Sequence, residues 1–100
     1  MPLSDEGAAL RLKDEDDVAV ALRALAIGAT VRFGPQSIAL RSEIPSGHKF
    51  ATHAIAAGTL IHKYGQVIGK ASAAIATGEH VHVHNVEGTR GRGDLAPVTA

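Results

Sequence analysis

The chain has 100 residues, ten Lys and Arg against ten Asp and Glu, six histidines and no cysteine. That length supports one small domain. Zero formal charge gives no global field for nucleic acid or an anionic membrane, and the lack of thiols excludes disulfides and thiolate metal sites.

Residues 1–17 hold six acids against Arg11 and Lys13, a local net of −4 that leaves +4 on the remainder. This acidic start has no apolar leader core, and no apolar run approaches the roughly 18 residues of a membrane span. A soluble cytoplasmic protein without a membrane or nucleic-acid partner is therefore expected. Residues 7–13 predict an opening strand. Residues 16–26 predict the one helix: Asp16 or Asp17 can cap it, and the Ala- and Leu-rich run "VAVALRAL" repeats apolar residues at helical as well as strand spacing.

Beyond it, "LAIGATV" (25–31), "IPSGHKF" (44–50), "IAAGTLI" (55–61) and "IATGEHV" (75–81) share a pattern: an aliphatic residue, two residues, a glycine, two residues, an apolar residue. Gly28, Gly47, Gly58 and Gly78 mark one recurring turn into a strand. Strands are predicted at 29–33, 37–41, 48–52, 59–62, 66–71 and 80–84, with a turn at Gly65. From residue 87, "EGTRGRGDLAPVTA" has three glycines and no periodicity, so 87–100 reads as a flexible tail after a domain spanning 1–86. Its "TRGRG" could cradle an anion, although a loose basic tail accounts for it more simply. The whole is a small, mostly β domain with one short helix. Its only aromatics are Phe33, Phe50 and Tyr64, so its core is light, and burial against a partner subunit or a second copy is expected.

The chemistry concentrates in "GEHVHVHN" (78–85), which puts His80, His82 and His84 at alternate positions. On a strand they share one face. Successive Cβ atoms would then be roughly 6.5–7 Å apart and the full set about 13 Å, so at most an adjacent pair can bind one ion. A further ligand must come from elsewhere. A solvated or interface face is the competing reading. His48, just past Gly47, is orientable; it suits a site or a turn residue bonded to backbone. His53 and His62 read as surface residues. In "HKYG" (62–65), Lys63 and Tyr64 could hold a carboxylate or hydroxyls, or be a snorkelling lysine beside a half-buried tyrosine.

"DVAVALRALAIGATV", "GHKFA", "HKYGQVIGKA" and "IATGEHVHVHN", in that order, resemble the small N-terminal domain of the altronate dehydratase family, over roughly residues 14–86. The resemblance implies an SAF-type β-clip fold, found fused to a large catalytic domain or as a separate small subunit. Because the chain stops soon after the histidine run, the second form is expected. Relatives acting on galactarate share "GHK" and the "YG" turn but not the histidine run, which points toward the altronate and sulfolactate branches. The implied reaction is β-elimination of water from a sugar acid, or of sulfite from sulfolactate. The implied cofactor is a divalent metal, iron or manganese, and the implied partner is a large catalytic subunit of the dehydratase type.

The chemistry of such a reaction suits the residues. Abstracting a proton α to a carboxylate needs a base and a stabilising cation, and expelling a β-hydroxyl needs an acid or Lewis acid. His48, His82 and His84 are assigned to catalysis, with His82 and His84 as metal ligands; Lys49, Lys63, Tyr64 and Asn85 are assigned to the hydroxy-acid substrate. The turns of His48 and Lys63-Tyr64 should lie beside the histidine strand, with His80 nearer solvent. Two other readings remain open: a stand-alone HxH metal protein of cupin type, whose usual glutamate and glycine spacing Glu87 and Gly78 do not match, and a non-catalytic SAF ligand-binding or structural module, which would have no reason to align three imidazoles.

Overall fold

The computed structural model describes residues 8–11, 13 and 15–88. Their regular structure is entirely strand: β1 (Ala9–Leu10), β2 (Val18–Ala21), β3 (Thr30–Phe33), β4 (Gln36–Ala39), β5 (Lys49–Ala51), β6 (Leu60–Lys63), β7 (Gln66–Ala71), β8 (His80–Val81) and β9 (Val86–Glu87). A four-stranded sheet runs β1-β2-β5-β8, every neighbouring pair antiparallel. Two smaller sheets stand on it, the hairpin β3-β4 and the three strands β6-β7-β9.

An internal duplication generates this arrangement. From Ala21 the chain turns a corner, makes the hairpin β3-β4, turns a second corner and enters β5. From Ala51 it repeats the course through β6-β7 into β8. Leu25 bridges Ile44 in the first half, and Ile55 bridges Ile75 in the second. The amide of Gly47 donates to Ala21 O in one copy, and that of Gly78 to Ala51 O in the other, both at 2.8 Å. All four corner glycines have φ between +82° and +88°, a region closed to most side chains. The repeat unit is thus about thirty residues with two glycine corners, twice the span that the glycine motif alone suggests.

Each half has its own core. Leu25, Val31, Ile38, Leu40, Ile44 and Phe50 pack with the small residues of β1 and β2, while Val18, Ile55, Ile61, Ile75 and Val81 form the second cluster. Phe50 is the only aromatic side chain among the fully buried residues.

Three expectations change. The helix over 16–26 is absent; β2 occupies its start. Val18, Ala19 and Ala21 are all buried at 1% exposure or less, because this central strand is covered on both faces. A strand buried on both faces reads as a continuous apolar run, which periodicity does not separate from a helix. The strand over 80–84 ends at Val81, and residues 82–85 form a turn. Chain beyond Val86 is still structured as far as β9, whose Lys70↔Glu87 pairing joins it to β7; the remainder of the expected tail, 89–100, lies outside the described residues.

Candidate functional site

The histidines meet because of strand register. β5 and β8 pair Phe50 with His80 and Lys49 with Val81, so the next step along the ladder sets His48 opposite His82. Their rings stack with centroids 4.3 Å apart. His80 and His82, two residues apart, project to the same side, and their rings lie 5.4 Å apart. Nδ1 of His48 is 2.9 Å from Nε2 of His80, a hydrogen bond in which one ring donates and the other accepts. One nitrogen from each of His48, His80 and His82 can be chosen so that all three lie within 4.8 Å of one another.

His84 stands outside this trio. Its exposed ring, on the turn at 82–85, lies 5.5 Å from His80, tilted by 40°, but contributes no nitrogen to the group. Of the pair that the sequence assigns to a metal, His82 and His84, only His82 belongs to the group of close ring nitrogens, which His80 and, from across the sheet, His48 complete. His80, expected to face solvent, is half-buried within the group. The reason is the turn, which Asn85 builds. Asn85 is 4% exposed; its Oδ1 accepts from the His82 amide and its Nδ2 donates to His80 O, each at 2.9 Å. Expected at the substrate, Asn85 instead directs its amide into the backbone of its own loop.

Electrostatics keep this corner short of protons. Burial lowers the pKa of His80, and the neighbouring His48, His82, His84 and Lys49 lower it further. His82 shifts down as well, through desolvation and then His48, Lys49 and His84. Burial also lowers Lys49, assisted by repulsion from Lys63. Both rings are thus biased to the neutral form, with a lone pair available.

Lys49, Lys63 and His82 line one open pocket of about 250 Å³, with Ile68, Val83, Val86, Glu87 and Gly88 completing its wall. Lys63 Nζ lies 5.0 Å from the centroid of the Tyr64 ring, which joins the tyrosine to the same corner. The expected proximity of the Lys63-Tyr64 turn to the histidine segment is thus present. Tyr64 holds φ +56° and Gly65 φ +77°, the backbone signs of a type I′ turn. That turn is pinned from below: the buried carboxylate of Asp16 accepts from the amides of Tyr64 and Gly65 at 2.8 and 2.9 Å.

Asp17 and its partners are the feature least expected from the sequence. Its Oδ1 is 2.6 Å from His53 Nε2, while its Oδ2 accepts from the His62 amide at 2.7 Å and lies 3.1 Å from His62 Nδ1. His53 and His62, read as surface residues, are side chains tied to one carboxylate. Only the duplication, which sets β2 beside the entry to β6, would have pointed to that grouping.

Comparison with known proteins identifies the family. The sequence profile of the altronate/galactarate dehydratase SAF domain matches residues 7–89. Altronate dehydratase of Escherichia coli K12 is 51% identical over 70 residues, covering 70% of this chain and 14% of that protein. The (2R)-sulfolactate sulfo-lyase alpha subunits of Chromohalobacter salexigens and Paracoccus pantotrophus are 43% identical over 51 residues and 42% over 50, covering about half of this chain and 54% and 75% of theirs. The chain thus spans about one-seventh of the length of the altronate dehydratase that it matches. No helix of the described residues is long and apolar enough to cross a membrane. With an all-strand SAF architecture and a match over most of its length, the chain belongs to the altronate/galactarate dehydratase SAF domain family.

Proposed function

We propose that this chain is the SAF component of a hydroxy-acid lyase, working with a large catalytic polypeptide of the dehydratase type to eliminate water, or sulfite, from a sugar acid or related 2-hydroxy acid. The observation that carries this reading is the conjunction of three imidazoles with a two-lysine pocket at one corner of the domain. Elimination breaks a C–H bond α to a carboxylate and a C–O or C–S bond at the β carbon, and the electron pair of the first bond becomes the new C=C bond. Lys49 and Lys63 suit the carboxylate, whose negative charge grows as the proton leaves. A neutral imidazole of His82, on the same pocket wall, suits the proton transfer when no ion holds its lone pair. His48 and His80, hydrogen-bonded to each other, orient that ring by stacking, and Tyr64 beside Lys63 suits hydroxyl groups.

The donor set also fits a divalent metal. His48, His80 and His82 offer nitrogen, which suits iron, whereas manganese prefers oxygen ligands. Such an ion supplies Lewis-acid charge next to the carboxylate when bound. The matched relatives named as altronate dehydratase and sulfo-lyase subunits support the reaction class.

The test is reconstitution. The purified chain alone should turn over no hydroxy acid, and adding a dehydratase-type large polypeptide should restore elimination. Turnover by the chain alone would defeat the non-autonomous reading. A bound complex in which the chain makes no difference to rate would leave a structural module.

A further inference from the structure

We propose that His48, His80 and His82 form a three-imidazole site selective for borderline divalent ions, zinc and iron(II) above manganese and magnesium, with its remaining coordination position toward the Lys49–Lys63 pocket. This deepens the lyase reading, on which the use of the open position rests; capture of the ion by the chain is a separate matter and needs no turnover.

The argument starts from distances. At about 2.0–2.1 Å per metal–nitrogen bond, two nitrogens at a tetrahedral centre sit about 3.3–3.4 Å apart. The His48 and His80 nitrogens, at 2.9 Å, need to separate by only a few tenths of an ångström. One nitrogen can be chosen from each of the three rings so that all three lie within 4.8 Å of one another. The rings of His48 and His82 are stacked at 24°, so ligation requires them to fan open about χ2, a torsion with a broad minimum. Half-exposed side chains have the room to do so. The backbone is fixed around them: His48 and His82 follow the β5–β8 ladder, and Asn85 clamps the loop carrying His82.

Selectivity follows from the donors. Three imidazole nitrogens and no carboxylate in the group favour ions that accept imidazole over those that require oxygen. Three protein ligands leave a position free, as in catalytic rather than structural sites. Lys49 and Lys63 line the same pocket as His82, so an occupant on that side is preferably an anion. A hydroxy-acid carboxylate has the right charge, and so does hydroxide.

The test uses the 100-residue chain without a histidine tag, titrated with zinc chloride and, anaerobically, with iron(II), and with manganese(II) as the contrast. Imidazole proton resonances should shift for His48, His80 and His82 and stay in place for His53 and His62, with one zinc bound per chain. Each of His48→Ala, His80→Ala and His82→Ala should weaken zinc binding by more than about 100-fold, beyond the effect usual for an outer-sphere partner. His84→Ala should bind within a few-fold of the unsubstituted chain. Shifts centred on His82 and His84, manganese binding as tight as zinc, or no saturable binding would each overturn the assignment. The resonance experiment uses the unsubstituted chain and so decides the matter even if an alanine variant misfolds. A chain that binds zinc as described yet fails to restore elimination with a large polypeptide would overturn the lyase reading and leave the metal site standing.

Discussion

Asp16 is 1% exposed, yet its carboxyl is held below the usual carboxylate range, which requires a physical explanation. Burial alone would raise its pKa, but the amides of Gly65, Tyr64 and Lys13, with the Lys13 charge, outweigh that and hold it below 3.8. Because the folded pKa is depressed, its stabilising contribution is fully present above the unfolded value near 3.8 and is lost as pH falls through the folded value. Asp16→Asn should therefore cost about 2–3 kcal/mol at neutral pH, the size of a charge-assisted hydrogen-bond loss. Urea titrations of both proteins at pH 7 and pH 3 should show the difference narrowing in acid; a constant gap would mean that the residue acts by shape alone. In the sequence Asp16 and Asp17 look like helix caps, because local reasoning sees an acid before an apolar run. Apart from Lys13, the partners of their carboxylates lie 36 to 49 positions away and are visible only once the chain has folded back.

The corner is the repeating element, and its four copies are not equivalent. A Cβ on Gly58 would meet nothing within 4 Å, whereas one on Gly78 would sit 2.2 Å from the Ala39 carbonyl oxygen, against rigid backbone. Gly58→Ala should thus cost only the left-handed backbone penalty, about 1–2 kcal/mol. Gly78→Ala must also push two chain segments apart, so about 3 kcal/mol or more is expected. Chemical denaturation of both variants tests this ranking, and equal losses would contradict it. The glycine motif was readable from the sequence, as were the short strands between its copies. What it concealed was order: only the hydrogen bonds show that the corners pair as first with second and third with fourth. The alternating histidines misled for a related reason. Alternation correctly put His80 and His82 on one side, but Asn85 ends the strand through its own side chain, and no periodicity reports such a bond.

Across the whole molecule, two modest cores share one central sheet, and the polar corner is built by the second repeat together with the start of β5. The family and mostly β fold were legible because the quoted motifs recur in fixed order over most of the chain. The imidazole grouping was half legible: His48 and His82 were picked out, while His80 entered through cross-strand register, a tertiary property. Leu22, Ile27 and Val83 remain more than half exposed. The most direct measurement of the central claim is kcat/KM for hydroxy-acid elimination by the reconstituted enzyme carrying His80→Ala or His84→Ala in this chain, each variant first shown to be folded and bound to its partner. The account predicts a loss of about 10²-fold or more for His80→Ala, the size of an acid–base or ligand role, and a change of only a few-fold for His84→Ala. Full activity in His80→Ala beside a crippled His84→Ala would contradict it.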